Sequence, residues 1–202
     1  MSTGDMSATG GPDGLHFRRY SPPAARTLRE SVRTIYTASY VDAIASGHSF
    51  DSVEAFMSRF DAYSASPEFD MVMAYHDGRP VAQAWGWRLR EETRWWDGLH
   101  SAPEPDFTRE DGHRTFALSE IMVVQDCGGQ GIAHATHDEL LAARTEERAV
   151  LLVEPDNTVA RRAYLHWGWR AIARLRPNWN DAPQFEVFVK DLSRDMSRRQ
   201  SS

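Results

Sequence analysis

The stretch that decides the fold is Gln125-Asp126-Cys127-Gly128-Gly129-Gln130-Gly131-Ile132-Ala133-His134-Ala135. It joins an apolar, strand-like run, Leu118 to Val124, to a long helical pattern. A strand that ends in glycines and opens a helix presents unpaired backbone N–H groups at the positive end of the helix dipole. Because glycines let a ligand approach the backbone closely, this corner favours a phosphate site.

Two familiar phosphate loops are excluded by the residues around this corner. No Lys-Ser/Thr pair follows Gly131, as a nucleotide-binding P-loop requires, and no strand-borne acid completes a dinucleotide fingerprint downstream. A kinase-like reading also lacks the lysine and the metal-binding carboxylates. A different phosphate cradle is therefore required.

Upstream of the corner, the pattern predicts a strand, two helices and a hairpin. Leu15 to Tyr20 is the strand, and Ser21-Pro22 offers a capping hydroxyl followed by proline at the first helical position. Asp51, with Glu54 three residues later, indicates the start of the second helix. Two alternating runs then predict the hairpin, at residues 69–75 and 81–89.

Downstream, residues 90–113 show no period, and loops this long are uncommon unless they are functional or disordered. The pattern then predicts a strand, the glycine corner, a helix, a second strand and a helix that begins at Asn157. Paired strands are predicted near residues 169–175 and 185–189. We expect one domain over residues 15–192, with disordered tails at 1–14 and 193–202.

Composition narrows the class of protein. The 202 residues carry a formal charge of -6, and no apolar run approaches the roughly 20 residues that cross a bilayer. The single cysteine and the absence of an export signal fit a reducing compartment, so we expect a soluble cytoplasmic protein. The acidic balance, without a Lys/Arg block, argues against nucleic-acid and membrane partners.

A family resemblance emerges when the corner is combined with the second half of the chain. Five segments resemble the motifs of the GNAT superfamily of N-acetyltransferases, at matching spacings. They are Ile121-Met122-Val123, Gly128 to Ala133, Asn157-Thr158-Val159-Ala160, Ala163-Tyr164 and Gly168-Trp169. The resemblance implies an α/β fold of one domain. Its mixed central sheet would have six to seven strands, flanked by about four helices, with splayed central strands that hold the coenzyme.

The resemblance implies acetyl-CoA as cosubstrate. The residues that it assigns to the coenzyme are Ile121, Met122, Val123, Gly128, Gly129, Gln130, Gly131, Ile132, Ala133, Asn157 and Tyr164. One position departs from the pattern, because Gly128 stands where the family usually has Arg or Gln. A side-chain contact to the pyrophosphate is then missing, and the backbone N–H groups have to replace it.

Two residues are predicted to act in catalysis. Tyr164 matches the family's hydroxyl beside the coenzyme sulfur and shares an inward stripe with Ala160, Ala163 and Trp167. Since a thiol titrates at about 8.5 and a phenol at about 10, a hydrogen bond to the leaving thiolate suits Tyr164 better than full proton transfer. Glu120 is the predicted base for the acceptor ammonium, with water or a simple strand-end carboxylate as alternatives.

Four other polar residues have a structural interpretation as well as a functional one. Asn157 begins a helix and caps it, besides lying near the coenzyme. Cys127 has the helix-terminus setting that lowers a thiol pKa, although direct transfer needs no covalent enzyme intermediate. His134 and His137 have metal-ligand spacing, but we find no Cys, Asp or Glu to complete a set and expect no metal.

The predicted activity is acetyl transfer to a primary amine of a small molecule or peptide. Trp85, Trp87, Trp95 and Trp96 are candidates for contacting this acceptor through their ring faces. The alternative function is a non-catalytic acyl-CoA sensor of the same fold, which Gly128 favours and Tyr164 disfavours. A homodimer stays open.

Overall fold

The computed structural model describes residues 9–10, 14–100, 102–178 and 182–192. The chain forms two compact units: Met1–Trp87 with Glu120–Ala143, here the first unit, and Arg88–Ser119 with Arg144–Ser202, here the second unit. Apart from residues 9–10 and Gly14, the predicted tails at 1–14 and 193–202 lie outside the described residues.

The first unit contains an antiparallel sheet in the order β1-β2-β3-β4. Its strands are β1 (Thr9–Gly10), β2 (Leu15–Tyr20), β3 (Phe69–His76) and β4 (Arg79–Arg88). Strands β3 and β4 are joined by the two-residue turn Asp77-Gly78, which has positive φ at both residues and so matches the twist of a tight hairpin. The predicted first strand and hairpin are confirmed.

Five helices belong to this unit: α1 (Pro22–Thr27), α2 (Arg29–Ser39), α3 (Val41–Ala45), α4 (Val53–Ser64) and α5 (Ile132–Ala142). The predicted helix after Ser21 is thus three helices, of which α1 breaks from α2 at Leu28. The Ser21 side chain makes no capping bond, and the residue at the second helical position, Pro23, has no N–H for it to accept.

The predicted cap of the next helix was also displaced by one residue. Asp51 lies in a 3₁₀ turn (Ser49–Asp51), and the Ser52 hydroxyl accepts from the Ala55 amide at 3.1 Å. Serine at this position satisfies one of the free N–H groups of α4. The apolar side of α4 then buries Phe56, Met57 and Phe60.

The second unit contains a mixed sheet in the order β5-β6-β8-β7. Strand β5 (Thr115–Val123) begins in this unit and ends in the first. The others are β6 (Arg148–Val153), β7 (Arg170–Leu175) and β8 (Phe185–Asp191), and helix α6 (Thr158–His166) follows β6. The β5–β6 pair is parallel, whereas β8 is antiparallel to both β6 and β7.

The β5–β6 pairing is short. It covers Thr115–Ala117 of β5, opposite Arg148, Ala149 and Val150 of β6. Among the described residues, no later position of β5 has a register partner in β6, although both strands continue. The register pairing of β5 with β6 therefore ends at Ala117.

The segment predicted to lack a period, residues 90–113, forms no helix or named strand in its described part. A buried cluster nevertheless fixes it to the second unit. The Trp96 indole donates to Glu110 at 3.0 Å, and the Arg148 guanidinium donates to Glu110 at 3.0 Å and to the Phe107 carbonyl at 2.7 Å. The loop is therefore packed against β6 rather than free.

None of the helices in the described part of the chain is long and apolar enough to cross a bilayer.

Candidate active site

The glycine corner has the geometry that its sequence predicts. A 3₁₀ turn (Gln125–Cys127) follows β5, and Gly131 is the N-cap of α5 with a φ of 76°. That left-handed conformation strains any residue with a β-carbon. No side chain caps α5 at this end.

Most backbone N–H groups at the corner lack a backbone acceptor. Cys127 and Gly128 donate to the carbonyls of Val124 and Gln125, and the first bond of α5 runs from Ala135 to Gly131. Between them, the amides of residues 129–133 have no backbone acceptor within the described chain. A row of free donors at a helix N-terminus fits an anion such as a pyrophosphate.

The structure gives a physical reason for the unusual glycine at position 128. A β-carbon added there would lie 3.2 Å from the Gln125 carbonyl oxygen, which is closer than an ordinary contact. An arginine or glutamine at this position would therefore push against the 3₁₀ turn.

Arg79, from the β3–β4 hairpin, brings a cation to the corner that the sequence did not predict. One nitrogen of its guanidinium donates to both Asp126 carboxylate oxygens at 2.8 Å and lies 3.7 Å from the Cys127 sulfur. Burial and the neighbouring Asp126 raise the pKa of the Cys127 thiol. This direction is opposite to the lowering that the helix terminus predicts, and burial of the thiol is its main cause.

The last part of β5 contains Glu120, followed by the predicted coenzyme residues Ile121, Met122 and Val123. Met122 is buried, and its sulfur accepts from the Gln83 amide at 3.1 Å, whereas Ile121 and Val123 on the opposite face are partly exposed. By alternation, Glu120 shares the side of the strand that Met122 occupies.

The Glu120 carboxylate makes no hydrogen bond or ion pair with any described residue. Burial raises its pKa to about 7, the carboxylate of Asp51 adds to this rise, and the Arg59 guanidinium opposes it. A carboxyl group with a pKa near the working pH is suited to general-base catalysis.

The groups around Glu120 come from α2, α4 and the 3₁₀ turn between α3 and α4, and the sequence reasoning missed them. The charge of Glu120 helps to raise the pKa of Tyr36 and of Tyr63, although burial is the main cause in both. The Tyr36 hydroxyl donates to the Asp51 carbonyl at 2.8 Å. No motif marks these residues, and only the spacing of Arg59 and Tyr63, four apart on α4, could have suggested that they act together.

The four tryptophans have different environments. Trp85 is fully buried among Phe56, Phe60 and Phe69, and Trp96 is buried with its indole bonded to Glu110. Trp87 is partly exposed and stacks on Tyr63, with ring centroids 4.1 Å apart. Trp95 is partly exposed in the second unit.

In the second unit, Asn157 caps α6, since its side-chain oxygen accepts from the Ala160 amide at 3.1 Å. The predicted stripe of α6 is its less exposed face, because Ala160, Ala163, Tyr164 and Trp167 are all partly buried. The Tyr164 ring meets Trp167 and Trp169 edge-on, at centroid distances of 5.6 and 6.0 Å. Its position is therefore fixed by aromatic packing.

The histidine pair on α5 has a partner that the sequence reasoning overlooked. Asp138 lies 2.8 Å from the His137 imidazole and 3.4 Å from that of His134. The potential ligand atoms of the three residues lie within 4.8 Å of one another. The prediction that no acid completes the set is wrong, since i and i+4 share a helix face.

Comparison with known proteins agrees with this architecture. The model of the acetyltransferase (GNAT) family matches residues 29–169. No curated protein sequence matches the chain significantly.

Solved structures share the fold at low sequence identity. An acetyltransferase of the GNAT family from Desulfovibrio desulfuricans has a TM-score of 0.60 and 15% identity, over 88% of this chain and 99% of that one. The ribosomal-protein-S18-alanine N-acetyltransferase of Escherichia coli has a TM-score of 0.57 and 15% identity, over 87% of this chain and 94% of that enzyme. The PaiA N-acetyltransferase of Thermoplasma acidophilum, solved in complex with coenzyme A, has a TM-score of 0.52 and 12% identity, over 88% of this chain and 98% of that enzyme.

The predicted mixed α/β fold is confirmed by these neighbours. Because the family match covers more than half of the chain, the protein belongs to the GNAT family of acetyltransferases and is an acyltransferase.

Proposed function

We propose that this protein transfers an acetyl group from acetyl-CoA to a primary amine of a small molecule or peptide. The observation that carries the proposal is Glu120, a carboxyl group with a pKa of about 7 next to the coenzyme-binding part of β5. Direct attack of the amine, in a complex that holds both substrates, requires no covalent enzyme intermediate.

Acetyl-CoA is the proposed donor because the family uses it and because the glycine corner suits its phosphates. The amides of residues 129–133 would hold the pyrophosphate, and Gly128 allows the backbone to approach it. The main chain of Ile121 and Val123 would bind the pantetheine arm like an added strand, in line with the early end of the β5–β6 pairing. Met122 supports that strand from its buried face, and Asn157 orders the start of α6.

Glu120 is the proposed general base. An alkyl-ammonium group has a pKa of about 10, so its proton moves to a carboxylate of pKa about 7 at a cost of about 4 kcal/mol. A carboxylate with the ordinary value of 4.5 would make that cost about 3 kcal/mol greater. The raised pKa therefore makes Glu120 a better proton acceptor, and solvent then takes the proton.

The neutral amine nitrogen forms a bond to the thioester carbonyl carbon, the carbon–sulfur bond breaks, and the sulfur leaves as a thiolate. The nitrogen loses one of its two hydrogens as a proton, to solvent or to the departing sulfur, so that the products are a neutral amide and the free coenzyme thiol. Tyr164 is proposed to donate a hydrogen bond that strengthens as negative charge develops on the sulfur. Partly exposed aromatic rings, Trp87 among them, are proposed to contact the acceptor.

The function is tested by following release of free thiol from acetyl-CoA while a panel of primary amines is added one at a time. A transferase releases thiol faster with some amines, and mass spectrometry finds the acetylated amine. A sensor, the alternative suggested by Gly128, binds acetyl-CoA in calorimetry and releases no thiol with any amine. That second outcome would overturn the proposal.

A further inference from the structure

Arg59, on α4, is a partly buried cation with few partners. Its guanidinium lies over the Phe50 ring at 4.1 Å, and Nη1 donates to the Phe50 carbonyl at 2.9 Å. Its Nε is buried without a hydrogen-bond partner, and no carboxylate of the described residues forms an ion pair with it. Nη2 is not buried and makes no hydrogen bond with any described residue, so the exposed edge of this guanidinium has unused capacity for an anion.

Two carboxylates lie in the same neighbourhood without neutralising Arg59 directly. Asp51 lies beside Phe50 in the sequence, and its carbonyl accepts the Tyr36 hydroxyl bond. The charges of Asp51 and Arg59 both act on Glu120, yet neither Asp51 nor Glu120 approaches the guanidinium within 4.0 Å. The three charged groups are thus close enough to influence one another and too far apart to pair.

Aromatic rings line this neighbourhood. Tyr36 stacks on Phe56, with ring centroids 3.8 Å apart, and on Tyr40 at 5.0 Å. Tyr63 lies one helical turn after Arg59 on α4 and stacks on Trp87. The charged groups are therefore set among apolar ring faces, where charged hydrogen bonds are stronger than in water.

We propose that Arg59 binds a carboxylate of the acceptor, so that the acceptor is a small amino carboxylic acid with an apolar side chain. Its amine faces Glu120, its carboxylate takes the unused donors of Arg59, and its apolar part lies against the partly exposed rings of Tyr63 and Trp87. A planar guanidinium matches a carboxylate with two parallel hydrogen bonds, which a lysine would not reproduce. This assignment rests on the proposed acetyltransferase function and narrows its acceptor.

The test compares acceptor pairs that differ only in the carboxylate: phenylalanine with phenethylamine, and leucine with 3-methylbutylamine. For the wild-type protein, kcat/KM for thiol release is expected to favour the amino acid by at least tenfold. Arg59→Met keeps an unbranched apolar side chain over Phe50 and is expected to abolish the preference. Arg33→Met removes an exposed arginine of α2, whose nearest acid is Glu30 at 3.8 Å, and is expected to retain it.

A second readout does not depend on turnover. Calorimetry with the CoA-saturated protein is expected to show N-acetylphenylalanine binding at least tenfold more tightly than N-acetylphenethylamine, and Arg59→Met is expected to remove the difference. Thermal unfolding of each variant shows that it is folded.

Two results distinguish a failure of the role proposed for Arg59 from a failure of the proposed acetyltransferase function. Thiol release that is equal or faster with the decarboxylated amines, and unchanged in Arg59→Met, overturns the role of Arg59 and leaves the acetyltransferase intact. If acetyl-CoA binds but none of the amines accelerates thiol release, the proposed function fails and this inference fails with it.

Discussion

At the scale of one residue, Glu120 is the proposed base, and its burial also destabilises the fold. Its folded-state pKa, about 7, lies above the ordinary 4.5, so folding favours the protonated form. The cost of burying the carboxylate is absent below pH 4.5, grows as the pH rises, and is complete above pH 7. A difference of this size is worth on the order of 3 kcal/mol.

We therefore predict that Glu120→Gln increases stability while it removes activity. At pH 8 the free energy of unfolding should rise by roughly 2–3 kcal/mol, and at pH 4 it should equal that of the wild type. Denaturant unfolding at both pH values measures this, with Glu91→Gln, an exposed acid in the loop after β4, as the unchanged control. A loss of stability at pH 8 would mean that the carboxylate is held by contacts rather than strained by burial.

Tyr164→Phe tests the proposed hydrogen bond to the leaving sulfur. Phenylalanine keeps the packing against Trp167 and Trp169, so only the hydroxyl is lost. We expect kcat to fall at least tenfold while acetyl-CoA affinity changes by less than about twofold, because the bond strengthens only in the transition state. Tyr20→Phe, which removes a hydroxyl bonded to Tyr75, is the matched control and should retain full activity. An unaltered rate in Tyr164→Phe would remove this residue from the mechanism.

At the scale of elements, the glycine corner depends on backbone conformation rather than on side chains. Gly131→Ala places a β-carbon at a φ of 76°, a strain of about 1 kcal/mol or more, and tilts the amides that open α5. We expect acetyl-CoA to bind at least tenfold more weakly in calorimetry.

Gly47→Ala is the matched control for this prediction. Gly47 has a φ of 77°, and, as at Gly131, an added β-carbon would meet no atom within 4 Å. It should show the same loss of stability with no loss of affinity. Equal affinity in the two variants would show that the corner is only a turn.

Local sequence rules predict some of these elements and fail for others. The hairpin, the glycine corner and the Asn157 cap were predictable, because each depends on residues adjacent in sequence. The cap of α4 went to Ser52 rather than Asp51, since a 3₁₀ turn occupies the preceding residues. No glycine or proline marks the break between α1 and α2 at Leu28.

At the scale of the whole molecule, the acceptor side of the site was the least predictable. Glu120 was identified by its place beside the family's coenzyme-binding strand. The groups that interact with it electrostatically, Asp51, Arg59 and Tyr63, are 57 to 69 residues away in sequence. Such neighbours are set by tertiary packing and leave no periodic signal. The proposed coenzyme side could be predicted from the sequence because it consists of main-chain groups within one strand–turn–helix motif.

The measurement that tests the account most directly is acetyl transfer by the wild type and Glu120→Gln across pH 5.5 to 9, after calorimetry has shown that both bind acetyl-CoA. Acetylated amine is quantified by mass spectrometry. We predict that kcat/KM of the wild type rises through a pKa near 7, and that Glu120→Gln makes at least tenfold less product and lacks this rise. Equal product from the two proteins would exclude Glu120 as the base, and bound acetyl-CoA with no product from the wild type would contradict the acetyltransferase assignment itself.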